Sequence, residues 1–200
     1  RTGKHWSREE MWAHIDSHPA DDPLTVEFIN MQTDSLVEAV KVFREGIDEV
    51  DETIQGINCT SGDICDSVVY TNPHFAGKGN PTMVRVPCGT YAPKSVREFS
   101  DIMRRAASCV ARLRRGGIEI ILGETDTIPF NRYGKNARYL HSHYTAAILE
   151  GVRGAKHWIT RLAAFEPASG EAYRKKLAEN RGFYQTLSEL RPQIKWKGCV

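Results

Sequence analysis

The sequence predicts an α/β fold built on a parallel sheet, either an open doubly wound sheet or half of an eight-stranded barrel. Two observations carry this. Short apolar, β-branched runs alternate with amphipathic stretches of helical period, the pattern of β-α units. The best of these runs, Ile118–Leu122, is bounded by glycines on both sides, as a buried parallel strand should be. No Gly-x-Gly-x-x-Gly follows any predicted strand, so the dinucleotide-binding fingerprint is missing.

Ser7 and Glu10 have capping-box spacing and predict a helix carrying Met11, Trp12 and Ile15. His18-Pro19 opens a polar break that runs through Pro23. From Asp34 the residues Leu36, Val40, Phe43, Ile47, Val50 and Ile54 form one helical stripe, which Gln55-Gly56 ends. A strand is expected at 57–60, an irregular excursion over 61–81 and a second strand at 83–86. Ser95 caps a helix bearing Val96, Phe99, Met103, Ala106, Val110 and Leu113, stopped by Gly116-Gly117. After the third strand, Gly123 to Gly134 reads as a loop. A helix around Leu140–Gly151, a fourth strand over 154–160 and one last helix up to Pro192 complete the order. The predicted organisation is a connecting segment at 1–33, the α/β unit at 34–192 and the start of a following segment at 193–200.

Composition narrows the function classes. The chain has 200 residues, 40% hydrophobic and 26% charged, which are ordinary globular values. Lys and Arg number 27 against 25 Asp and Glu. The basic group Arg104, Arg105, Arg112, Arg114 and Arg115 reads as the solvated face of one helix, so no nucleic-acid partner is expected. No apolar run approaches the roughly 20 residues of a membrane span, and no signal peptide is visible. Five cysteines without C-x-x-C spacing argue against a structural zinc site and fit a reducing, cytoplasmic setting. His141 and His143 are two apart on a predicted helix and therefore cannot chelate one ion. No metal and no cofactor are expected.

In parallel α/β folds the active site lies at the carboxyl ends of the strands. That rule selects Cys59 after the first strand and Arg85 and Tyr91 around the second. It selects Glu124, Asp126, Asn131, Arg132 and Tyr133 after the third, and Trp158 and Arg161 after the fourth. The set is polar and aromatic, suited to gripping a polyol. Glu124 follows an apolar strand and a glycine, and an arginine among Arg85, Arg132 and Arg161 is expected to pair with it. Asp126 is expected to support it or to bind a hydroxyl, and Trp158 to stack on a sugar face or lie in the core.

The stretch Gly123-Glu124-Thr125-Asp126-Thr127-Ile128-Pro129-Phe130-Asn131-Arg132-Tyr133 adds a resemblance. Together with Gly154–Arg161 and Ser169–Arg174, it resembles clan A retaining glycoside hydrolases of the family 42-like β-galactosidase and family 164 β-mannosidase type. The similarity runs from about residue 34 to 195. The resemblance implies a (β/α)8 TIM-type barrel, with this chain covering about strands five to eight. It also implies a carbohydrate substrate and Glu124 as the nucleophile. Clan A places its acid/base glutamate at the end of the fourth strand, which would precede Arg1. Glu27, in a stretch read as strand-like, is the other candidate here, without the family pattern around it. The chain is thus expected to need the remainder of its own longer chain and to be inactive alone. Homo-oligomerisation is left open. The rival reading is a non-catalytic carbohydrate-binding or scaffold module.

Overall fold

The computed structural model describes residues 3–18, 20–60, 67–89, 91, 95–127, 134–159 and 167–194. Helix α1 spans Arg8–Ser17 and α2 spans Pro23–Asp48. Strand β1 (Asn58–Cys59), helix α3 (Ser67–Phe75) and strand β2 (Met83–Pro87) follow. Next come α4 (Val96–Arg115), β3 (Ile120–Glu124), α5 (Ala137–Leu149) and β4 (Gly154–Lys156). Helices α6 (Glu171–Glu179) and α7 (Arg181–Leu190) end the described chain, with short 3-10 turns before and after them. No helix among the described residues is long and apolar enough to cross a membrane.

The expected capping box is present. The Ser7 hydroxyl accepts from the Glu10 N–H at 3.1 Å, and the Glu10 carboxylate accepts from the Ser7 N–H at 2.8 Å. Helix α2 departs from expectation. It begins at Pro23 rather than Asp34, so the predicted boundary at residue 34 falls inside it. Asp22 caps it through the N–H groups of Leu24 and Thr25, and proline suits the first helical position because its missing N–H would be unpaired there anyway. The helix ends at Asp48, and the predicted apolar stripe is not its buried face. Leu36, Phe43, Val50 and Ile54 are exposed, and Arg44 is buried instead. The Arg44 guanidinium donates to the carbonyls of Ile54 at 2.6 Å and Glu52 at 3.1 Å and to the Asp48 carboxylate at 2.5 Å. One arginine thereby ties α2 to the chain leading into β1.

The excursion predicted over 61–81 contains helix α3, despite Pro73 inside it. Tertiary packing overrides the local signal here. Val68 enters the core, and the buried Asn72 amide donates to the Met83 carbonyl at 2.7 Å and the Asn58 side chain at 3.2 Å. Helix α3 is thus the crossover between β1 and β2. Helix α4 ends as expected. Gly117 adopts φ 84°, and the Ile118 N–H reaches back to the Leu113 carbonyl at 3.0 Å. The single predicted last helix is two, broken at Asn180, whose side chain donates to the Lys176 carbonyl at 2.8 Å.

The sheet is four-stranded and parallel, in the order β1-β2-β3-β4. Val84, Val86 and Ile121 are fully buried on one face, among Val68 of α3, Ala106, Val110 and Leu113 of α4, and Ala147 of α5. Consecutive order with crossovers of one hand puts every intervening helix on the same side. These four strands contain no reversal of direction, the feature that marks a doubly wound sheet. The opposite face carries Met83, Arg85, Ile120, Leu122 and Glu124, all half-buried.

Candidate active-site edge

Glu124 is the last residue of β3, two places beyond the predicted end of that strand, and pairs with Pro87 of β2 and Lys156 of β4. Strand alternation brings its side chain to the face that holds Arg85 and Leu122. Arg85 donates to one Glu124 oxygen and, at 3.0 Å, to the Thr60 carbonyl. Of the three arginines predicted as partners, Arg85 forms this pair. Lys156 Nζ lies 3.5 Å from the other Glu124 oxygen and 2.5 Å from Asp126 Oδ2. Two carboxylates and two cations therefore share the carboxyl edge of the sheet.

The two carboxylates differ in exposure. Glu124 keeps 18% of its side chain open to solvent, whereas the Asp126 side chain is completely enclosed. Besides Lys156, Asp126 accepts from the Trp158 N–H. Asp126 therefore acts as a clamp between β3 and the segment after β4, with each of its oxygens already accepting one bond. Neighbouring bonds repeat that clamp. The Thr127 N–H and hydroxyl both donate to the Trp158 carbonyl, at 2.9 and 2.8 Å, and the Thr125 hydroxyl meets His157 Nδ1 at 2.8 Å.

Burial and then the neighbouring Asp126 push the Glu124 carboxyl above its ordinary range, although Arg85 and Lys156 pull the other way. Lys156 is partly desolvated, yet Asp126 and Glu124 together raise its ammonium above the ordinary lysine value. Its Nζ also sits 5.1 Å from the centre of the half-buried Trp158 ring.

Behind this edge lies a buried polar chain. Lys135 is enclosed and donates to the Asp126 carbonyl at 2.5 Å and to His143 Nδ1 at 3.1 Å. An ammonium only donates, so Nδ1 is the acceptor, and Nε2 carries the hydrogen that reaches the Cys88 carbonyl. Burial, and secondarily Lys135, lowers His143 to about 4; burial lowers Lys135 to about 8. Residue 143 thus joins the segment after β2 to the segment after β3. Gly89 is required there, because a β-carbon on it would lie 2.6 Å from the imidazole.

Cys59 lies exposed at the end of β1, paired in register with Arg85. Tyr91 is exposed and has no bond to the cluster among the described residues. Asn131, Arg132, Tyr133 and Arg161 lie outside the described residues. Glu27 lies on helix α2, not on a strand, beside Lys4, Trp6 and Phe28. His141 and His143 diverge as their spacing requires, His141 turning to the Tyr184 hydroxyl at 2.8 Å. Cys88 is enclosed just past the end of β2, and burial raises its thiol to about 12.

Lys156, Lys135 and His143 were missed as site residues from sequence. A lysine inside a short predicted strand, two residues past a glycine, was the available signal for Lys156. Nothing local marks Lys135, whose ammonium is held by Asp126 in the same connection and by His143 of α5. Compared with family models, curated proteins and solved structures, the chain matches none of them.

Proposed function

We propose that this chain is the carboxyl-terminal half of a retaining β-glycosidase barrel, with Glu124 as its nucleophile. One observation carries the reading. Glu124 ends a parallel strand on the face free of crossover helices, ion-paired to Arg85 and beside Lys156. In a closed barrel that face is the interior, and its carboxyl end is where catalytic groups sit.

In this reading a Glu124 oxygen attacks the anomeric carbon while the bond to the leaving oxygen breaks. That oxygen takes a proton from a second carboxyl group, and water later cleaves the glycosyl ester as the same group takes a proton back. Retaining chemistry sets the two carboxyls about 5 Å apart. Asp126 is a poor second group, because Lys156 and the Trp158 N–H occupy it. The acid is therefore assigned to another part of a longer chain. Arg85 and Lys156 oppose the burial that raises the Glu124 carboxyl, and Trp158 offers a ring for stacking.

A fluorosugar with an activated leaving group, incubated with the longer protein, tests this. An ester on the peptide containing Glu124, absent in Glu124→Gln, supports the reading. Unchanged turnover in Glu124→Gln refutes it. The second reading, a non-catalytic carbohydrate-binding module, draws on the engagement of both Glu124 oxygens by cations. It predicts saturable sugar binding with no label.

A further inference from the structure

A second charged feature lies at the opposite, amino edge of the sheet. A cavity of about 750 Å³ opens between the end of α4, the turn into β4 and helix α7. Arg114, Arg153 and Arg191 line it from three separate elements, over a floor that includes Val110, Val152 and Pro192. Nothing at the Glu124 edge explains three cations here.

Their charges are poorly compensated. None of the three has a carboxylate within 4.0 Å among the described residues. Arg114 donates to the Ile118 carbonyl at 3.3 Å and to the Glu119 carbonyl, and Arg191 donates to the Leu149 carbonyl. Arg153 is exposed; its backbone N–H donates to the Ile121 carbonyl at 2.8 Å, and its guanidinium has no hydrogen-bond partner among the described residues. The two acids on the cavity wall are turned to other work. Glu119 accepts from the Thr82 N–H at 3.0 Å, and Glu189 from the Gln185 amide at 3.1 Å. Glu150, close to Arg191, is itself raised by burial. Partial burial lowers Arg114, and the nearby Arg153 adds to this as a like charge.

We propose that this cavity binds the phosphate group of a small anion. Guanidinium forks match a tetrahedral oxyanion in shape, and a dianion would relieve the repulsion among the three arginines. The volume lies within the range of small-molecule sites, and the apolar floor would take the body of a phosphomonoester. The proposal does not depend on the glycosidase reading, because the two edges share no residue.

Isothermal titration of this chain with inorganic phosphate and with glycerol 1-phosphate, at constant ionic strength set with chloride, tests it. Saturable binding is expected. Arg153→Gln should bind about tenfold more weakly, the size expected for one lost charge-assisted bond. Arg153 is exposed, so this variant should keep the wild-type melting curve. Tighter binding of glycerol 1-phosphate would identify a phosphomonoester as the ligand, and equal binding would identify free phosphate. Binding that does not saturate, or equal affinity in Arg153→Gln, overturns the proposal.

Discussion

Acid should weaken this fold through His143, and the size of the effect follows from its surroundings. The ring is enclosed, accepts from Lys135 and donates to the Cys88 carbonyl, so only its neutral form fits. Its value falls from 6.5 to about 4 on folding. A lowered histidine means that the unfolded chain takes up the proton first. The stabilisation is therefore complete above pH about 6.5 and is lost as pH falls toward about 4. That interval corresponds to roughly 3 kcal/mol. Urea unfolding at several pH values between 7.5 and 4.5 would measure it, with His143→Gln as the comparison. Glutamine can still donate to the Cys88 carbonyl but does not titrate. The variant should be less stable at pH 7.5, by about 1–3 kcal/mol for the disturbed buried bonds. It should also lose less stability on acidification than the wild type. His157, lowered to about 4 by burial, contributes a similar slope in both proteins, so the difference between them isolates residue 143. Equal pH slopes would refute the argument.

Two further outcomes follow from packing. Arg44→Met removes the donors that hold the Ile54 and Glu52 carbonyls, and chemical denaturation should show a loss of about 2–4 kcal/mol. Gly89→Ala sets a methyl group against the His143 ring at a backbone φ of 151°, so its melting temperature should drop by several degrees, corresponding to roughly 1–3 kcal/mol. A melting temperature at the wild-type value would mean that the ring is not packed there.

The elements most legible in sequence are those whose signals are local. Ser7 with Glu10, Ser95, and the pair Gly116-Gly117 mark helix ends by bonds within a few residues, and all act as their spacing predicts. Leu113, Val110, Ala106 and Met103 repeat at helical period because one face of α4 meets the sheet. The legible part of the site was Glu124 and its arginine partner, since a charge directly after an apolar strand must find a counter-ion. The start of α2 and the existence of α3 were not legible. Pro23 and Pro73 read as breakers, but Asp22 makes the first a helix start, and the helix holding the second is fixed by the packing of Val68 in the core and the bonds of Asn72 to Met83 and Asn58.

By itself, the sequence determined the alternation of strands and helices and placed a carboxylate at a strand end, because both depend on residues close along the chain. Tertiary structure alone decided the strand order, the burial of Asp126 and the joining of Lys135 to His143. Tertiary structure also selected Lys156 to stand between Glu124 and Asp126. The strand order and the contacts of Asp126 with Lys156 and Trp158 join segments tens of residues apart; Lys135 and His143 are eight residues apart, but no local period or spacing announces their bond.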